Sequence, residues 1–182
     1  MNSNELERVI LNAPEDLKMM SRIQCHLHGL ASIVFRKNHT GGLDRAFFCY
    51  DWTGHLNAHN HKYDLILFPI TGCPINVNVD EGGFPISKDL IKNNNLYLSH
   101  SVFHTVMMMP GDCWMVKEMH HPEGLKENRM IKCEVSQPCR ESILFNSPSD
   151  VDDFVMGFFD RWGSNLTQRT LINRDRRLET SV

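Results

Sequence analysis

Between residues 23 and 137 the chain is built from short β-branched and aromatic runs separated by turn residues at intervals of about ten. Strands are predicted over 23–35, 45–52, 63–70, 75–79, 95–98, 105–109, 113–119 and 130–135. Gly41-Gly42, Thr53-Gly54, Gly72, Gly82-Gly83, Pro110-Gly111-Asp112 and Pro122-Glu123-Gly124 supply the turn chemistry between them. Many short strands at even spacing predict a β-sandwich or barrel rather than a βαβ protein.

Both ends carry a helical period instead. Over residues 4–21, Leu6, Val9 and Ile10 mark one short helix and Leu17, Met19 and Met20 a second, broken at Asn12-Ala13-Pro14. Near the other end, Phe154, Val155, Phe158, Phe159 and Trp162 recur at helical spacing, with a capping-box-like Ser149 and Asp152 before them and Gly163 as a stop. This helix is expected to lie across the sheet. The expected organisation is one domain over 1–182: a helical segment over 1–22, a barrel over 23–137, a helix over 147–163 and an Arg-rich tail over 164–182.

Composition narrows the function classes. Nineteen Lys and Arg against 22 Asp and Glu give a net charge of -3, so there is no global field for a nucleic acid. The totals conceal a segregation: residues 141–160 hold five acids and no Lys or Arg, whereas 161–177 hold five Arg and one Asp. Arg161, Arg169, Arg174, Arg176 and Arg177 pair with the acidic stretch, stay solvated or meet an anionic partner. No apolar run reaches the roughly 20 residues needed to cross a bilayer, and the first residues are acidic and polar where a secretory signal is basic and then apolar. A cytoplasmic protein is expected. Six cysteines without a C-x-x-C pair indicate neither a zinc ribbon nor a disulfide framework.

Ten histidines are the compositional anomaly. His59-Asn60-His61 enters the run that begins at Tyr63, and alternate residues of an extended segment face one side. Two imidazoles then point into one space, as a metal requires of two ligands on one element. About forty residues later His104 opens the outgoing strand of a second strand-turn-strand. Three imidazoles from two strands make a facial site with open positions, suited to Fe(II), or to Zn, Mn or Ni. His100 has the strand parity of His104 and is a candidate fourth ligand or turn residue. His26-Leu27-His28 is a rival His-x-His, facing outward or contributing to the rim of the same cavity. Asp64 stands at an odd offset from the His pair, which sends it to the opposite face of a regular strand. His39 and His55 fall in turns.

At these residues the chain resembles the cupin superfamily. Gly54, His59, His61 and Gly72 match the first cupin motif, with Leu65 and Ile66 in place of its Glu; of the second motif only His104 is present, with Ser99, Ser101 and Met108 at the other positions. The resemblance implies a mainly β fold, a double-stranded β-helix or jelly-roll barrel with N-terminal helices and a C-terminal helix. Three histidines without the Glu resemble the all-histidine cupins, among them the thiol dioxygenases, which use Fe(II) and O₂. The resemblance implies a metal on His59, His61 and His104, with Fe(II) favoured, and a homodimer.

The Ser-His-Tyr arrangement of those dioxygenases has no counterpart here: Met119-His120-His121 occupies the region, so a thiol substrate is not supported. His120 or His121 can act as an acid or base, because neutral imidazole titrates near working pH. Leu65, Leu67, Phe103 and Val106 are the expected apolar walls of a substrate pocket. Met107-Met108-Met109 and the Phe154–Trp162 aromatics read as core, and Cys113 lacks a dedicated base. Two functions fit: a small-molecule, dioxygenase-like enzyme, or a non-catalytic cupin that binds a small ligand and acts as a sensor or interaction module.

Overall fold

The structure, a computed structural model, describes residues 1–23, 29–51, 54–55, 58–90, 95–120 and 143–163. Two helices come first, α1 (Ser3–Leu11) and α2 (Glu15–Lys18). The strands that follow are β1 (Arg22–Ile23), β2 (Leu30–Lys37), β3 (Leu43–Cys49), β4 (Gly54–His55), β5 (Asp64–Thr71) and β6 (Ile75–Val79). After them come β7 (Pro85–Leu90), β8 (Leu96–Leu98), β9 (Phe103–Met108), β10 (Cys113–Met119) and β11 (Ile143–Leu144), then helix α3 (Pro148–Trp162). The strands pair antiparallel into a first sheet of order β11-β1-β2-β3-β10-β5-β8 and a second of order β4-β9-β6-β7.

Alternation along each strand decides what each sheet face meets. On the outer face of the first sheet, Ala31, Ile33, Phe35, Ala46, Phe48, Cys113 and Met115 are covered by Leu6 and Ile10 of α1 and by Val151, Val155, Phe158 and Phe159 of α3. Phe48, fully buried, receives the rings of Phe154, Phe158 and Phe159 edge-on at 5.8, 5.0 and 5.6 Å between centroids. The opposite face supplies Leu30, Leu65, Leu67, Trp114 and Val116, which meet Val106 and Met108 of the second sheet. That apolar layer lies between the two sheets and is the floor beneath the histidines.

Local chemistry fixes the joints. Buried Lys18 bonds both carboxylate oxygens of Asp152 at 2.6 and 2.8 Å and the Leu11 carbonyl at 2.9 Å, tying α2 to α3. Asn2 and Glu5 form a capping box on α1. The cap of α3 is Ser147, whose hydroxyl accepts from the Asp150 amide, rather than the expected Ser149. Pro148 explains the shift, since its fixed φ and missing N–H suit the first helical position and place the cap before it. Gly72 takes φ +71 at the end of β5, and a Cβ there would lie 2.0 Å from Asp112 Oδ1. Buried Asp112 accepts from the Cys73 and Met109 amides, both at 2.8 Å, so this glycine lets the β5 turn close against the turn before β10.

Two strand expectations change. The run 23–35 divides into β1 and β2, and Gly29 enters β2 at φ +96. Gly82-Gly83 is the hairpin turn between β6 and β7, and β7 itself carries no sequence signal strong enough to be expected. The expected strand over 130–135 and the tail from 164 lie outside the described residues.

Candidate metal centre

His59 and His104 are drawn together by backbone pairing. Each amide donates to the other's carbonyl at 2.9 Å, which extends the β4–β9 ladder by an isolated bridge. The His-x-His therefore belongs to the edge of the second sheet, and the chain crosses to the first sheet only at β5. His61, two residues on, returns to the same side. The three rings form a near-equilateral triangle with centroids 4.7, 4.9 and 5.0 Å apart, and one nitrogen from each lies within 4.8 Å of the others. His61 Nε2 and His104 Nε2 are 2.8 Å apart. Two imidazole nitrogens about 2.0–2.1 Å from one ion and at right angles stand about 3 Å apart, so this spacing fits adjacent ligands.

The proton on His104 is placed by its partner. Its Nδ1 lies 2.6 Å from Oδ1 of Asn76, a carbonyl oxygen that can only accept, so Nδ1–H donates and Nε2 carries the lone pair. Burial, then the fields of His59 and His61, hold the His104 pKa well below 6.5, so the ring is neutral. Neutral imidazoles with outward Nε2 lone pairs are what a divalent cation takes as ligands.

A cleft of about 520 Å³ opens beside the triad, lined by Gly41, Leu43, Arg45, His61, Lys62, Tyr63, Glu118 and His120. Glu118 is its hub: Arg45 Nε–H donates to it at 2.9 Å and the Leu43 amide at 3.2 Å, and His120 Nε2 is 3.8 Å away. Tyr63 stacks on His120 with centroids 3.7 Å apart and planes inclined at 16°. Among the described residues, His120 Nε2 has no hydrogen-bond partner although it is buried. Cross-strand pairing of Glu118 with Leu65 and of Val116 with Arg45 puts this cleft on the inner face of the first sheet, at the open end of the apolar layer.

Two antiparallel sheets thus face one another across an apolar layer, with three imidazoles at the mouth delivered by the segment before β5 and by β9. The fold is a cupin fold. No family model matches the chain, and no curated protein does. Among solved structures the chain is similar to the polyketide cyclase RemF from Streptomyces resistomycificus (12% identity, TM-score 0.44, 62% of this chain and 78% of that one). It is also similar to an RmlC-like cupin from Shewanella frigidimarina (14%, 0.40, 52% and 79%) and to a cupin domain from Bordetella pertussis (15%, 0.39, 51% and 95%).

The cupin mouth gathers some of the expected residues and leaves others aside. His59, His61 and His104 converge, and His120 lines the adjoining cleft. His100 does not join them. Its amide and Nδ1 are both held by Asp64 Oδ1, at 2.8 and 2.7 Å, and Tyr97 also donates its hydroxyl to Asp64, which raises the Tyr97 pKa. Asp64 shares the face of Ile66, which pairs with Tyr97, so this cluster sits on the outer side of the first sheet; the expected opposite face is reached, but on a different strand from the His pair, so parity along one strand is not the reason. Phe103 is corrected likewise: its neighbour His104 points inward, so Phe103 points outward onto Ala58, Val77 and Val79 rather than into the pocket. Leu65, Leu67 and Val106 are buried in the layer beneath the site. His26, His28 and His121 lie outside the described residues. His39 is in an exposed turn, and His55 is in β4 rather than a turn.

Cys113 is fully buried, and burial followed by the Asp112 charge pushes its thiol pKa well up, which makes it core and not a nucleophile. Arg161 lies over the Trp162 ring at 4.9 Å, and the other tail arginines lie outside the described residues. Arg45, Tyr63, Glu118 and Asn76 are functional candidates that sequence reasoning passes over. Strand parity carries their signal: Arg45 and Glu118 fall on inward positions that are otherwise apolar, and Asn76 shares with Asn78 the inward, polar face of β6.

Proposed function

We infer that this cupin is a metal-dependent enzyme acting on a small polar molecule held in the cleft beside the triad, and that the reaction is an oxygenation with Fe(II). The observation that carries the reading is the convergence of three imidazoles, two with Nε2 atoms 2.8 Å apart, at the edge of a cleft that also holds a histidine whose Nε2 has no hydrogen-bond partner among the described residues. His59, His61 and His104 would hold the ion. Bound there, Fe(II) would bring dioxygen and substrate together, with the oxidised substrate as the net source of electrons, whereas Zn, Mn or Ni in the same ligands would supply Lewis acidity for an isomerase or hydrolase.

The chain's own residues do the rest. Arg45 and Lys62 offer positive charge to an anionic substrate group, and Glu118 holds the Arg45 fork in place. His120, kept in its ring plane by Tyr63, presents Nε2 to accept or return a proton. Leu65 and Val116 keep the floor dry. An oxygen electrode tests the reading with Fe(II)-loaded protein and a panel of small carboxylates and amino acids. Substrate-dependent O₂ uptake that is lost in His59→Ala and His104→Ala supports it. Ligand binding that persists without metal in both variants would leave a binding module in its place.

A further inference from the structure

We propose that Asp89, on the edge strand β7, sets the tautomer of His104 through a one-way chain of hydrogen bonds across the inner face of the second sheet. The proposal rests on His104 being a metal ligand, since the tautomer decides whether Nε2 can bind. From His104 Nδ1 the chain runs to Asn76 Oδ1 (2.6 Å), then from Asn76 Nδ2 to Asn78 Oδ1 (2.8 Å) and from Asn78 Nδ2 to Ser87 Oγ (2.9 Å). It ends on Asp89 Oδ2, which faces Asn78 Nδ2 at 3.5 Å and Ser87 Oγ at 3.3 Å. Register puts all five on one face: Asn78 is opposite both His104 and Ser87, and Asn76 is opposite Asp89.

A side-chain amide turned end for end keeps its shape, so Asn76 alone does not dictate which of its atoms meets His104. The far end does. A carboxylate only accepts, so Ser87 and Asn78 must present donors to Asp89. Asn78 is then left with Oδ1 toward Asn76, Asn76 turns its Nδ2 to that oxygen, and Asn76 Oδ1 is left toward His104. An acceptor at that place keeps the proton on Nδ1. The reversed chain would put an amide donor against Nδ1, move the proton to Nε2 and block the ligand atom. Asn76 has 0% exposure, so solvent offers it no alternative partner. Asn76, Asn78, Ser87 and Asp89 are positioning residues, acting through His104 without touching the ion.

The test is the ¹⁵N NMR signature of the His104 ring nitrogens in metal-free protein above pH 7, with Zn(II) affinity from chelator competition. Unmodified protein is expected to show the Nδ1–H tautomer alone. Asp89→Asn, isosteric but able to donate, is expected to give mixed tautomers and a loss of about tenfold or more in Zn(II) affinity. Adding Asn78→Asp to Asp89→Asn moves the acceptor-only group next to Asn76, and is expected to restore both readings. A pure Nδ1–H tautomer in Asp89→Asn, or no recovery in the folded double variant, would overturn the relay. Because the spectrum is taken without metal, unmodified protein with the Nδ1–H tautomer but no Zn(II) binding would overturn the metal reading and support the relay.

Discussion

Zn(II) is expected to raise the melting temperature of chelator-treated protein, and His104→Ala to remove most of the rise. A ligand that binds only the folded chain at a hundred times its Kd stabilises by about 2.7 kcal/mol. For a chain of 182 residues each kcal/mol moves Tm by roughly 2–4 °C, so the rise is about 5–11 °C. Four-ligand structural Zn sites are worth about 10–16 kcal/mol, or roughly 3 kcal/mol per ligand, so losing one imidazole weakens binding about a hundredfold. At the same Zn(II) concentration the remaining stabilisation is then about 0.4 kcal/mol, near 1 °C. His104→Ala also strips the buried Asn76 oxygen of its donor, which lowers the metal-free Tm by an amount equivalent to about 1–3 kcal/mol. Scanning fluorimetry with and without Zn(II) separates the two effects. Phe103→Ala, one residue away but facing outward, is the control that keeps the metal-dependent rise. Retention of more than half of the rise in His104→Ala, or no rise in unmodified protein, would show that His104 does not hold the ion.

Three further outcomes follow from the same structure. Asp152→Ala leaves the Lys18 ammonium buried without its carboxylate, and urea unfolding should report a loss of about 3 kcal/mol. Gly72→Ala forces a Cβ onto Asp112 at a positive φ, and should cost at least about 2 kcal/mol by the same assay, whereas Gly157→Ala, inside α3 where the added Cβ meets open space, should stabilise by about 0.5–1 kcal/mol. His104 has its folded pKa depressed, so on acidification the unfolded chain takes up its proton near 6.5 while the folded chain does not. Metal-free stability therefore falls as pH drops below about 6.5, by up to about 1.4 kcal/mol per unit from this group, and melts in His104→Gln should lack that increment.

How much of this was legible depended on period two. The triad was readable because His59 and His61 repeat at the strand period and His104 opens an alternating strand, and alternation survives even though the pair sits on the second sheet's edge. The same rule contains the fate of Phe103: adjacent residues cannot share a face, so an inward His104 excludes an inward Phe103. The run 75–79 alternates Ile, Asn, Val, Asn, Val, and its polar positions share the face of His104, which was the available sign of a buried polar chain. Strand β7 escaped because an edge strand carries Pro85, Lys88 and Asp89, residues that protect edges and weaken the strand signal. Parity turns Arg45 and Glu118 inward but does not say that they meet, because their bond joins β3 and β10 across 73 residues of sequence. The expected division into one domain with a barrel over 23–137 is retained as a proposal.

Anomalous diffraction from crystals of metal-loaded protein would locate a metal held by three histidines at the mouth between the sheets. One peak is expected about 2.0–2.2 Å from a ring nitrogen of each of His59, His61 and His104. A peak centred on His26 and His28 instead, or no peak within ligand distance of the three, would contradict it.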